Sequence, residues 1–276
     1  MQTVSTLSIE FMILTLVIAL ILPVALTIVL CVKRKIHIIP VLVGAGVFFV
    51  FQLVLRSPAL QLAALFSPSF KQFVGTPIMG GLFLGLTAGI FEEFGRYIGY
   101  RVALKKHTAW QDGLAFGIGH GGIEAIALVG LGSVNNLLFS VAINTGRWDS
   151  IATVLPAVTA QQTYDALVQT PAYLFALGGI ERLFAMTIQV AFSILVLYAI
   201  RKRDFQFVLL AVLLHLVVDA PVNLVKQQFG YIATELFVML CAAAALVYII
   251  RSRKVFARLE GGQPVQPQSS EDHPIT

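Results

Sequence analysis

The chain has 276 residues; 58% are hydrophobic and 12% charged, with a mean hydropathy of +0.86. Soluble domains carry about 25% charged residues, so the composition excludes an ordinary soluble enzyme and describes an integral membrane protein. The formal net charge of +5 points to basic cytoplasmic loops and anionic lipid, not nucleic acid, since no basic, aromatic-rich platform is present.

About 20 apolar residues cross a bilayer as helix. On that rule the sequence predicts an all-α polytopic bundle of about seven spans: 7–31, 38–55, 76–104, 112–137, 178–200, 205–225 and 231–250. The first run lacks a basic flank and is expected to remain as a helix. Pro58, Pro68 and Lys71 mark 57–75 as an external loop. The stretch 138–177, with Pro156 and Pro171, is expected to hold an interfacial helix or a re-entrant piece. Residues 259–276 are polar and Pro-rich, hence a disordered tail. The expected organisation is therefore two N-terminal helices (1–75), a four-helix core (76–226, spans three to six), a C-terminal helix (227–258) and the tail. Cys31 and Cys241 fall in apolar runs and are expected as buried, unpaired thiols.

Lys/Arg counts set the orientation. With the N-terminus outside and the C-terminus inside, thirteen basic residues face the cytoplasm: Lys33, Arg34, Lys35, Arg101, Lys105, Lys106, Arg201, Lys202, Arg203, Arg251, Arg253, Lys254 and Arg258. Five face outward: Arg56, Lys71, Arg147, Arg182 and Lys226. The expected location is a prokaryotic plasma membrane.

Against this apolar background, ionisable residues inside spans are conspicuous, because each costs roughly 2.5–3.5 kcal/mol at the bilayer centre. Span three carries Glu92, Glu93 and Arg96; Arg96 is four and three residues from the two glutamates, within reach of either. Span four carries Phe116, His120 and Glu124 at four-residue spacing. Gly117, Gly119, Gly121 and Gly122 strip side chains from around His120, so another backbone can approach closely. Span six carries His215 and Asp219, again four apart and on one face. Glu93 lies eight residues before Arg101, His120 eight after Asp112 and His215 eleven after Asp204. At 1.5 Å per residue all lie roughly 12–17 Å from the basic face. Three helices thus bring carboxylates and imidazoles to one level, which predicts one site.

A Glu-Glu motif, then Phe-x-x-x-His, then His-x-x-x-Asp, resembles the CAAX-protease and bacteriocin-processing superfamily of intramembrane proteases. The Glu-Glu-x-x-Arg spacing is closer to the Glu-Glu-x-x-Lys of PrsW-type proteases. The run Gly117-Ile118-Gly119-His120-Gly121-Gly122-Ile123-Glu124-Ala125 is similar to the YhfC-like family of membrane peptidases. The resemblance covers about 76–226.

It implies peptide-bond hydrolysis by a glutamate-activated water in a cavity reached from the cytoplasm, with a membrane-embedded or lipidated peptide as substrate. It implies Glu92 as catalytic base, with Glu93 the other candidate. His120 would hold or activate the water, and His215 with Asp219 would polarise the scissile carbonyl. Arg96, Glu124 and Phe116 would support them. No cofactor is favoured on this reading. A zinc site of His120, His215 and Glu92 stays open, as does a proton- or ion-coupled transporter built on the same groups. Structural readings compete too: Glu92, Glu93 and Arg96 as a buried ion pair, and Glu181-Arg182 as a surface pair near the outer face.

Overall fold

The computed structural model describes residues 2–34 and 36–261; the described part is helical throughout, without strands. Four long rods are α1 (Thr6–Lys33), α2 (Ile38–Phe66), α5 (Trp110–Asn144) and α8 (Ala172–Lys202), each long and apolar enough to cross a membrane. α3 (Pro68–Val74) meets α4 (Met79–Val102) at 89°, and this bent pair qualifies as one further span. α4 alone carries Glu92, Glu93, Arg96 and Arg101, so its own composition is too polar. α6 (Trp148–Ala152) and α7 (Ala157–Gln169) are short.

The final helical stretch, 206–261, is broken at Gly230 (φ 80, ψ −178). A positive φ with extended ψ suits only glycine. The chain turns back there: Tyr198 of α8 meets Phe207 at 4.8 Å and Phe256 at 6.2 Å between ring centroids. Residues 206–229 (α9) and 231–261 (α10) therefore run antiparallel along α8.

Small residues decide the packing. A Cβ on Gly119 would lie 1.9 Å from the Val41 carbonyl oxygen, and one on Gly117 would lie 2.5 Å from the Val190 Cα. α5 is thus clamped between α2 and α8 with backbones in contact. Lipid gives no hydrophobic drive between helices, so such close van der Waals approach is what holds them. α4 meets α9 in the same way: a Cβ on Gly89 would lie 2.9 Å from the Val212 carbonyl oxygen and 3.2 Å from His215 Cβ.

Several expectations change. Residues 57–75 are not a loop: α2 continues to Phe66, and Ser67 caps α3 by accepting from the Phe70 amide at 3.2 Å. Pro58 is tolerated because a π-helical turn at Phe49–Arg56 precedes it, so the ladder is already in a different register. Within 138–177, α5 persists to Asn144 and α8 starts at Ala172. Cys31 and Cys241 are free but only partly buried. Of the expected tail, 259–261 continue α10; the remainder lies outside the described residues.

Candidate active site in the bundle core

Glu92, Glu93, Arg96, His120 and His215 are all buried, and they converge. His120 Nε2 lies 3.0 Å from Glu92 Oε2. His215 Nδ1 lies 2.8 Å from Glu93 Oε1, and its Nε2 lies 3.3 Å from Asp219 Oδ2. The two adjacent glutamates point about 100° apart on the helix, so they serve different partners: Glu92 turns to α5, Glu93 to α9. Arg96 donates to both, in a tight pair with Glu93 and at 3.5 Å to Glu92.

α8 supplies a residue that the motifs do not contain. The Gln189 amide nitrogen donates to Glu92 Oε2 at 3.2 Å and to Glu124 Oε2 at 2.6 Å. Its oxygen accepts from Arg96. One turn on, Ser193 accepts from Arg96 Nε at 3.3 Å. Arg182 donates to Glu124 Oε1 at 3.2 Å and to Glu181. Glu181 and Arg182 are therefore not a surface pair. They belong to the wall of the site.

That wall encloses a cavity of about 310 Å³, bordered by Glu92, Glu124, His215 and Asp219 together with Arg56, Glu181, Arg182 and Gln189. Glu93 is not among the bordering residues; it lies behind His215 and fixes that ring, as Asp219 does from the other nitrogen. Phe116 borders on neither the cavity nor solvent. It stacks on Tyr100 at 4.5 Å and lies 6.3 Å from His120, backing the histidine.

The cavity extends one way only. From the Glu92 level it is lined by Ala88, Gly85 and Gly81 on α4, by Val218, Val222 and Asn223 on α9, and by Gln52 and Arg56 on α2. Every one of these lies farther from the Lys/Arg-rich ends of its helix. Toward the basic end, Tyr100, Leu104, Ile194 and Leu197 are fully buried and close the core. The lining thus runs away from the basic, cytoplasm-assigned ends of these helices and not toward them.

A metal would find donors here, but not the set expected. Single ligand atoms of Glu92, His120 and Glu124 all lie within 4.8 Å of one another. Glu124 takes the place assigned to His215, whose nitrogens already face Glu93 and Asp219. One imidazole and two carboxylates, three protein donors beside an open cavity, suit a catalytic divalent cation such as zinc. Of this cluster, His120 Nδ1 is buried without a hydrogen-bond partner, so the protein alone does not satisfy every donor atom.

Residues 16–241 match the family model described as YhfC intramembrane metalloprotease. The chain belongs to the YhfC family. It is also 38% identical over 221 residues to the uncharacterised membrane protein YhfC of Bacillus subtilis (strain 168), covering 78% of this chain and 84% of that relative. No solved structure matches the chain. Membership makes this a multi-pass membrane protein of a family described as intramembrane metalloproteases, and the match takes in every motif residue from Glu92 to Asp219.

Proposed function

We propose that this YhfC-family chain is an intramembrane endopeptidase whose working centre is Glu92, His120 and Glu124. The observation that carries the reading is their clustering within 4.8 Å inside an apolar bundle, with Glu92 and Glu124 on the wall of a cavity and His120 buried directly behind Glu92. On this reading the three side chains hold a divalent cation, with zinc the best fit to the donor set. Such an ion supplies Lewis acidity and lowers the pKa of a bound water.

The protein's own groups do the rest. Gln189 spans Glu92 and Glu124 and fixes their spacing. Arg96 offsets one of the two negative charges of the Glu92–Glu93 pair, which a dry core could not otherwise hold ionised. His215, held by Glu93 on Nδ1 at 2.8 Å, reaches the cavity wall; it can donate to a peptide carbonyl as negative charge develops there once Nε2 exchanges its 3.3 Å contact with Asp219 for the substrate. An ionised Asp219 cannot donate, so its part is to orient His215. The surrounding apolar helices exclude bulk water, which strengthens each of these interactions.

A metal-free, glutamate-type centre is the second reading. It is favoured by Gln189, whose one amide nitrogen donates to both Glu92 and Glu124 and so can hold the two carboxylates together itself. Seven spans with the N-terminus outside remain our proposal for the topology, on thirteen basic residues against five. The cavity then faces outward, and the substrate is a membrane-embedded or lipidated polypeptide reaching it from that side.

The experiment is cleavage of a membrane-anchored reporter by purified protein in liposomes, before and after exhaustive chelation and after adding zinc back. Loss with recovery supports the metal reading, and undiminished cleavage supports the glutamate reading. Coupled ion flux without cleavage would overturn both in favour of a transporter.

A further inference from the structure

Among the described residues three arginines are buried: Arg56, Arg96 and Arg182. Arg96 and Arg182 each pair with two carboxylates. Arg56 takes part in no ion pair of 4.0 Å or less among the described residues. It is held instead by neutral acceptors. Nε donates to Thr87 Oγ1 at 3.2 Å, Nη1 to Gln52 Oε1 at 3.2 Å and Nη2 to the Leu84 carbonyl at 2.7 Å.

A guanidinium has five N–H donors, so two are uncommitted, and Arg56 borders the cavity. Glu92 and Asp219 line the same cavity and attract this cation from a distance, but neither is in contact with it, and a buried cation without a contact partner is costly to maintain. Two helices nevertheless fix this one in place, and it ends the π-helical turn Phe49–Arg56, a distortion common at functional sites. A rigid guanidinium fork is the usual receptor for a carboxylate.

Its position sets a distance. Leu84 and Thr87, which anchor it, precede Glu92 by eight and five residues on α4. At 1.5 Å per residue, Arg56 lies about 7–12 Å from Glu92, away from the basic ends of the helices. An extended peptide advances roughly 3.3 Å per residue, so this span is about two to four residues.

We propose that Arg56 is an anion subsite of this cavity that holds a carboxylate of the peptide substrate a few residues from the bond cut. The inference rests on the protease reading above. The carboxylate belongs either to the substrate's C-terminus or to an Asp or Glu side chain. Farther along, the cavity wall presents Glu124 and Glu181, which repel a carboxylate from other positions and so fix its register.

The test measures binding, without turnover, in the Glu92→Gln background in phosphatidylcholine nanodiscs. Fluorescent apolar peptides are compared as the free C-terminal acid, as the C-terminal amide, and as the amide with one internal Glu. At least one acidic form should bind about tenfold or more tighter than the neutral amide, the scale of one charge-assisted hydrogen bond. Arg56→Gln should remove that preference. Gain with the free acid assigns the terminus, and gain with internal Glu assigns the side chain.

Equal affinity of all three peptides with Arg56 intact overturns the proposal, and that result needs no Arg56 variant to fold. So does a preference that survives Arg56→Gln. Loss of the preference in phosphatidylglycerol discs would make a lipid phosphate the occupant and also overturns it. Cleavage by the unsubstituted chain is scored separately. Preference without cleavage keeps the subsite and removes the protease reading; cleavage without preference does the reverse.

Discussion

His120 and Glu92 lie 28 residues apart in sequence, on helices α5 and α4, yet His120 Nε2 stands 3.0 Å from Glu92 Oε2. The contact depends on Gly117 and Gly119, which let α5 sink between α2 and α8 until His120 is level with the α4 carboxylates. Packing geometry and chemistry are joined at this pair.

Replacement of either member is expected to abolish the reaction without unfolding the bundle. Glu92→Gln retains size and should lower proteolysis at least ~100-fold, the scale of general-base and related assistance. His120→Ala should do the same, and the double variant should be little worse than either, because the residues act as one unit. Rates measured on a membrane-anchored reporter decide this; an additive double variant would show two independent roles.

Gln189→Leu should reveal the scaffold role of α8. The substitution strips Glu92 and Glu124 of their shared donor and Arg96 of an acceptor. Leaving a buried polar group unpaired costs about 1–3 kcal/mol. Thermal unfolding in detergent should therefore shift down, and cleavage should fall with it. An unchanged midpoint would mean that water or rearranged side chains replace the amide.

Gly119→Ala and Gly46→Ala form a matched pair. A Cβ on Gly119 meets the Val41 carbonyl oxygen at 1.9 Å, whereas one on Gly46 meets nothing within 4 Å. The first should cost about 1–3 kcal/mol through overpacking and displace His120. The second should be neutral or slightly stabilising, since alanine is the better helix former. Equal unfolding midpoints would contradict the close α5–α2 contact.

Direction of access is testable with single cysteines in a Cys31→Ser, Cys241→Ser background. Asn223→Cys borders the cavity and should react with an impermeant thiol reagent applied outside cells. Lys105→Cys, on the basic face, should react only after lysis. The reverse pattern would invert the orientation, and no labelling of Asn223→Cys from either side would close the cavity.

The sequence makes much of this legible, because an ionisable group in an apolar span has few innocent explanations. Glu92, Glu93, His120 and His215 stand out for that reason, and their equal depth anticipates their meeting. What was missed follows from how spans end. Counting from Gly178 put Arg182 within one turn of the surface; α8 starts at Ala172, and Arg182 is buried three turns in. Ending a span at Leu55 put Arg56 at the outer surface; α2 continues to Phe66. In both cases polar residues that lower hydropathy face an internal cavity instead of water. Gln189 escaped because an uncharged amide costs little in an apolar run, and only side-chain geometry shows that it joins two carboxylates.

The most direct measurement is metal content and proteolysis on the same purified preparations of the unsubstituted chain, His120→Ala and Glu124→Gln. The account predicts about one divalent ion per chain in the first, loss of ion and cleavage together in both variants, and an unchanged fold by circular dichroism, as three protein donors are the usual catalytic set. Full proteolysis by a preparation stripped of metal would contradict it and move the chemistry to Glu92 alone.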